Sequence, residues 1–208
     1  MASDQTGRYR ALLVDLDGVL RRWPASDSEI EQNCGLPVGA LRTTAFERRL
    51  LNDAVTGRIT DEVWRENVAT LLTLKHPDAK VAEAVAAWSL PLGEIDEDVL
   101  RLVQLAGKRL KIVLVTNGTS RLNRDLDMLG LLPSLDVVVN SSVIGVAKPE
   151  HNFYVAALRL AGVSAAEALF VDDSRSHVEA AMQLEICSLR FTGHEALANF
   201  LQNHRVIG

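Results

Sequence analysis

Along this chain, short apolar runs stop abruptly at polar residues, and they do so four times. Ala11-Leu12-Leu13-Val14 runs into Asp15-Leu16-Asp17-Gly18, and Ile112-Val113-Leu114-Val115 into Thr116-Asn117-Gly118-Thr119. Val137-Val138-Val139 runs into Asn140-Ser141, and Ala168-Leu169-Phe170-Val171 into Asp172-Asp173-Ser174. Continuous apolar runs of this length, rich in Val, Ile and Leu, are the pattern of strands buried on both faces, as in parallel sheets covered by helices. Between the runs the pattern turns helical over 96–110, 120–130 and 176–184. Strands alternating with helices predict an α/β fold, a Rossmann-like doubly wound parallel sheet.

From about Trp23 to Leu92 the strand pattern is absent. Helices are predicted over 27–34, 39–52, 61–74 and 79–88, punctuated by Pro37, Gly57 and Pro77. Thr60-Asp61-Glu62-Val63 reads as a helix start with acids in the first turn. The predicted organisation is therefore a sheet core over 8–22 and 93–208, with a small helical insertion over 23–92 directly after the first strand. No internal repeat or low-complexity segment interrupts it.

Composition narrows the function classes. The 208 residues suffice for a sizeable core, and 48% apolar with 24% charged residues is ordinary for a soluble globular protein. A net charge of −5 gives no electrostatic reason for nucleic acid or an anionic membrane as partner. Cys34 and Cys187 lie far apart, without metal-ligand spacing and too few for a disulfide framework, which fits a reducing cytoplasm. The polar start over 1–10 lacks the apolar stretch of a signal peptide, and no run is long enough to span a bilayer. A cytoplasmic protein is the expectation.

Every polar cluster follows the C-terminal end of a predicted strand, the edge where open α/β sheets place their ligands. Asp15, Asp17, Asp172 and Asp173 would bring four carboxylates to that edge, where mutual repulsion raises their pKa values unless a cation is present. A hard divalent ion suits such oxygen donors, and Mg²⁺ fits best, since it uses one or two carboxylates, several waters and substrate phosphate oxygens. Lys148, ahead of Pro149, is a compact point charge suited to a phosphoryl oxygen. The strand-to-helix turn at Thr116, Asn117 and Gly118 offers N–H groups to an anion.

Read together, DLDGVL at 15–20, VTNG at 115–118, AKPE at 147–150 and VDDS at 171–174 resemble, in order, the four motifs of the haloacid-dehalogenase-like (HAD) hydrolase superfamily, over about Leu12 to Phe191. The resemblance implies that the helical insertion is a cap over the site. The residue types then suggest a chemistry. Asp15 is the candidate nucleophile, forming an aspartyl-phosphate, and Asp17 the general acid toward the leaving alkoxide and then the base for water. Thr116, Asn117, Gly118 and Lys148 would bind the phosphoryl oxygens. By resemblance Asp17 also reaches the metal through its main-chain carbonyl. Asp173 is the first choice for the carboxylate ligand, and Asp172 either a ligand through water or an orienting partner.

The pattern Thr56-Gly57-Arg58-Ile59-Thr60-Asp61-Glu62 and the VDDS form are similar to bacterial sugar-phosphate phosphatases and the phosphatase-like domain attached to epoxide hydrolases. They imply a magnesium-dependent phosphatase acting on a small phosphorylated metabolite such as a sugar phosphate. A sugar phosphomutase is the nearest alternative. A 2-haloacid dehalogenase lacks an acid two residues after its nucleophile, so Asp17 argues against one, and intact motifs argue against a non-catalytic binding protein. Arg22 and Trp23, at the hinge, are candidates for substrate contact. His151 and His177 are expected to serve as capping or surface residues, and Trp64 and Trp88 as packing inside the insertion.

Overall fold

In the computed structural model, residues 7–23 and 27–208 are described; 1–6, most of the polar start, lie outside them, as do 24–26 of the insertion. Strand β1 (Ala11–Val14) is buried along its length, flanked by a strand on each edge and covered by helices on each face. Next come β2 (Arg21–Arg22), five helices, α1 (Asp27–Asn33), α2 (Ala40–Ala45), α3 (Arg48–Val55), α4 (Asp61–Lys75) and α5 (Val81–Ser89), and β3 (Glu94–Ile95). Then α6 (Glu97–Ala106), β4 (Lys111–Thr116), α7 (Leu122–Met128), β5 (Val137–Asn140), α8 (Ser141–Ile144) and α9 (His151–Ala161) follow. The chain finishes with β6 (Ala168–Asp172), α10 (Arg175–Gln183), β7 (Cys187–Arg190) and α11 (His194–Asn203). The sheet is parallel, in the order β5-β4-β1-β6-β7.

Successive side chains of a strand point to opposite faces, so each continuous apolar run feeds two layers. Leu12, Val14, Leu114 and Val171 pack with Val103, Leu126 and Leu197 from α6, α7 and α11. Leu13, Val113, Val115 and Phe170 pack with Phe153, Tyr154 and Val178 from α9 and α10. Register then decides what reaches the edge. Val14 stands level with Leu114 and Val171, and Thr116 with Asn140, so the residues after the runs emerge side by side.

Two departures from the predicted pattern have local causes. The helix expected over 39–52 is broken at Phe46 and Glu47: Glu47 leaves helical geometry, and its carboxylate accepts hydrogen bonds from the Arg49 and Leu50 N–H groups, starting α3 afresh. The sheet also gains β7, a half-buried edge strand whose Cys-Ser-Leu-Arg run carries too little apolar signal to read as a strand. Cys187 on it and the buried Cys34 are both free thiols.

Helices α1–α5 enclose an apolar cluster of their own, with Leu41, Trp64, Val68, Leu72 and Val85 at its centre and Trp88 packed against it. Trp64 and Trp88 meet edge to face. The chain passes into this helical layer through β2 and out through β3, which pair antiparallel as a narrow stem. Among the described residues no helix is long and apolar enough to cross a membrane.

Candidate active site

The buried centre of the site is one cation between two anions. Lys148 Nζ lies 2.8 Å from Asp15 Oδ1 and 2.7 Å from Asp172 Oδ2, and donates to the Val115 carbonyl at 2.9 Å. Asn117 holds the lysine's backbone from both sides: its Oδ1 accepts from the Lys148 N–H at 2.8 Å, and its Nδ2 donates to the Lys148 carbonyl at 2.9 Å. The Asn117 side chain is therefore a bracket for Lys148, which leaves its main chain for the phosphate-binding role predicted for this turn. Thr116 is buried at the end of β4 beside it.

Burial pushes the Asp15 carboxyl up to about 7, with the charge of Asp172 adding to the rise and Lys148 opposing it. Burial also works against the Lys148 ammonium, but Asp15 and Asp172 outweigh it and hold its pKa above the usual lysine range. Asp172 resists its own burial because His177 and Lys148 keep it below the usual carboxylate range.

The acidic pair divides its labour. Asp172 is fully buried, and its oxygens face Lys148, the Ser174 N–H at 2.8 Å and His177 Nδ1 at 3.0 Å. These contacts tie Asp172 to Lys148, to the backbone after the strand and to α10. His177, expected in a capping or surface role, is instead half-buried with its ring against the Asp172 carboxylate; its position two residues into α10 aims the ring back at the strand end. His151 opens α9 and is exposed. Asp173 lies on the open side. A Cβ on Gly18, at φ +86°, would sit 2.3 Å from Asp173 Oδ2, so only glycine lets this carboxylate close on the loop that carries Asp17.

Asp15, Asp172 and His177 have ligand atoms close enough to share a metal ion. The Lys148 ammonium, however, already stands between the two carboxylates. On the open side, Asp173 and the loop at Asp17 present hard oxygen donors of the type Mg²⁺ takes. Burial and the neighbouring Asp172 raise the pKa of Asp173, and the opposing pull of Lys148 and His177 does not cancel them.

Asp17 meets a residue that escaped the sequence reading. Arg21 donates to its carboxylate through Nε at 2.7 Å and Nη2 at 3.0 Å, and Trp23 Nε1 adds a third bond at 2.8 Å. The Arg21 guanidinium also lies 4.4 Å over the Trp23 ring and 3.7 Å from Asp125. An arginine four residues after the second aspartate of DLDG was the available signal. Arg22, the residue singled out instead, pairs with Asp96 at the base of α6 and is spent there.

The pattern at 56–62 docks the helical layer onto the sheet edge. Asp61 Oδ1 accepts from Thr119 Oγ1 at 2.8 Å, and the Asp61 N–H donates to Ser120 Oγ at 2.9 Å. Asn140 and Ser141 in turn hold the Thr119 and Gly118 carbonyls. A Cβ on Gly57, at φ +72°, would lie 2.1 Å from the Ser142 carbonyl oxygen. Gly57→Ala is therefore expected to lower stability by about 1–3 kcal/mol. Gly39→Ala, equally left-handed but facing open space, should lose less. Thermal melting of the two variants checks this, and equal losses would mean that the Ser142 contact yields freely.

A cavity of about 590 Å³ opens between the helical layer and the sheet edge, with Asp17, Asn117 and Gly118 at one end. Sesquiterpene phosphatase astK of Aspergillus oryzae is 24% identical to this chain over 203 residues, covering 96% of the chain and 97% of that protein. Among solved structures, HAD family enzyme bt-2542 of Bacteroides thetaiotaomicron, in complex with magnesium and inorganic phosphate, superposes with TM-score 0.69 at 20% identity, covering 87% of this chain and 93% of that one. L-2-haloacid dehalogenase of Xanthobacter autotrophicus superposes with TM-score 0.64 at 23% identity, covering 96% and 85%. The model of the haloacid dehalogenase-like hydrolases matches residues 9–184, most of the chain and all four strand-end clusters, and the protein belongs to that family.

Proposed function

We propose that this hydrolase is a magnesium-dependent phosphatase that cleaves a small phosphorylated metabolite through an aspartyl-phosphate, with the helical insertion acting as its cap. The observation that carries this reading is the Asp15–Lys148–Asp172 cluster placed beside a second acid, Asp17, that faces the cavity. Leu16 N–H and Lys148 both engage Asp15 Oδ1, which supports Oδ2 as the attacking oxygen. Attack forms the Oδ2–P bond as the P–O bond to the alcohol breaks, and Asp17 supplies the proton that leaves with the alkoxide. Asp17 then takes a proton from water, whose oxygen attacks phosphorus and releases Asp15. Lys148, the Thr116 hydroxyl and the N–H groups of Asn117 and Gly118 counter charge on the phosphoryl oxygens.

Asp15, Asp173 and the Asp17 main-chain carbonyl would hold Mg²⁺, which when bound neutralises these carboxylates and polarises the phosphoryl group. The test is phosphate release from p-nitrophenyl phosphate with Mg²⁺ and with chelator. No release in Mg²⁺ sinks the phosphatase reading, and metal-independent chloride release from 2-chloropropionate would replace it with the dehalogenase. The sugar-phosphate form of the expectation came from the 56–62 pattern, the short insertion and the VDDS form; within the first of these, Gly57 and Asp61 dock the insertion onto the sheet edge.

Metal dependence should show in stability as well. Asp15 titrates near 7 in the metal-free fold against ~3.9 unfolded, so its contribution is full below the unfolded value and is lost as pH rises through 7. Mg²⁺ selects the ionised form. Its stabilisation should be small at pH 5.5 and grow by pH 8 to about 2.7 kcal/mol at a hundredfold excess over Kd, roughly 5–10 °C in Tm. A Tm increase independent of pH would place the ion away from Asp15.

A further inference from the structure

We infer that the alcohol carried by the phosphate is an extended hydrocarbon, not a polyhydroxy sugar. The inference rests on the phosphatase reading for where the phosphoryl group sits, and on the cavity for the rest. That cavity is continuous with Asp17, Asn117 and Gly118, and at about 590 Å³ it holds a sizeable leaving group.

Most of the polar side chains lining it are already occupied by the protein. Arg21 is taken by Asp17 and Asp125. Arg65 is taken by Asp61 at 2.6 Å and by Ser89 Oγ at 2.7 Å. Arg121 binds Asp125 and the Ser89 and Pro91 carbonyls. Glu31 accepts from the Gly39 and Leu41 N–H groups, both at 2.7 Å, at the start of α2. The Thr119 hydroxyl donates to Asp61. Among the described residues, that leaves Asp27, Ser28 and Arg42 as the charged or hydroxyl lining groups outside these pairings, and all belong to α1 and α2. A sugar would surrender hydration at several hydroxyls and meet few groups able to replace it, an unfavourable exchange.

The apolar lining is in the opposite condition. Trp23 is 48% exposed, Phe46 48% and Val38 66%, large side chains left open where they face the cavity. Leu51, Val55 and Trp88 continue the same wall. Exposed apolar surface beside a reactive centre gains from an apolar ligand, at about 0.8 kcal/mol or roughly fourfold per buried methylene. Aspartate–arginine pairs and the Glu31 cap hold the wall in shape, and hydrocarbon fills it.

Propyl, hexyl and octyl phosphate and glucose 6-phosphate all release primary alkoxides, so they differ mainly in what enters the cavity. With Mg²⁺, kcat/KM should rise at least about 100-fold from propyl to octyl phosphate, and glucose 6-phosphate should do no better than propyl. Phe46→Ser, at an exposed position that the fold tolerates, should flatten the dependence on chain length. Glucose 6-phosphate matching or exceeding octyl phosphate, or a slope unchanged by Phe46→Ser, overturns the inference while leaving the phosphatase reading intact. If no ester, including p-nitrophenyl phosphate, is hydrolysed, the phosphatase reading falls, and calorimetry decides the inference alone. Octyl phosphate binding more tightly than glucose 6-phosphate, with a negative heat-capacity change, sustains it; the reverse order, or no binding of either, overturns it.

Discussion

The Asp15→Asn variant is expected to lose phosphate release by on the order of 10⁵-fold or more while folding normally, because an amide of the same shape cannot attack phosphorus. Its stability separates this from general damage. Wild-type Asp15 is a buried anion that the fold tolerates poorly, as its rise to about 7 records. Removing that charge leaves Lys148 paired with Asp172 at 2.7 Å. At pH 8 without metal, the variant should therefore melt at or above the wild-type temperature. Single-turnover phosphate release and melting at pH 8 check both halves, and activity within 100-fold of wild type would remove Asp15 from the role of nucleophile.

Lys148→Met should be the most destabilising single change in the site. It leaves two buried carboxylates facing one another without their cation, a loss of about 3–5 kcal/mol for breaking such a pair. In a chain of this size that is roughly 6–20 °C in Tm. The loss should shrink at pH 5, where Asp15 carries a proton, and should shrink again at pH 8 when Asp15→Asn is added, since one of the opposed charges is then gone. A double-mutant cycle reads that coupling directly. Strictly additive losses would show that Lys148 is tied to the fold by its contact with the Val115 carbonyl alone, against the charge-based account of the cluster.

The strand-end chemistry was legible because two simple patterns coincide there. A strand buried on both faces must be continuously apolar, so its end is sharply marked, and parallel register then delivers Asp15, Thr116, Asn140 and Asp172 to one edge. What escaped depends on meetings that no local pattern announces. Asp61 finds Thr119 across 58 positions, and His177 turns back to Asp172 only because α10 starts where it does. Arg21 looks like either of two adjacent arginines until β2 directs one toward Asp17 and the other toward Asp96. The break at Glu47 is a contest between helix propensity and a carboxylate that can serve two N–H groups as an N-cap, and the cap won.

The helical layer's own apolar cluster, separate from the two that clothe the sheet, has a bearing on how such a protein can change over generations. Substitutions far apart and without shared partners combine nearly additively. Lineages can therefore drift through new side chains around Leu41, Leu72 or Val85 while the geometry at Asp15 and Lys148 is inherited intact. Selection for a different alcohol would then find its raw material in a compartment whose failures need not be lethal to the chemistry, and descendants of one ancestor could diverge in diet while sharing a single reaction.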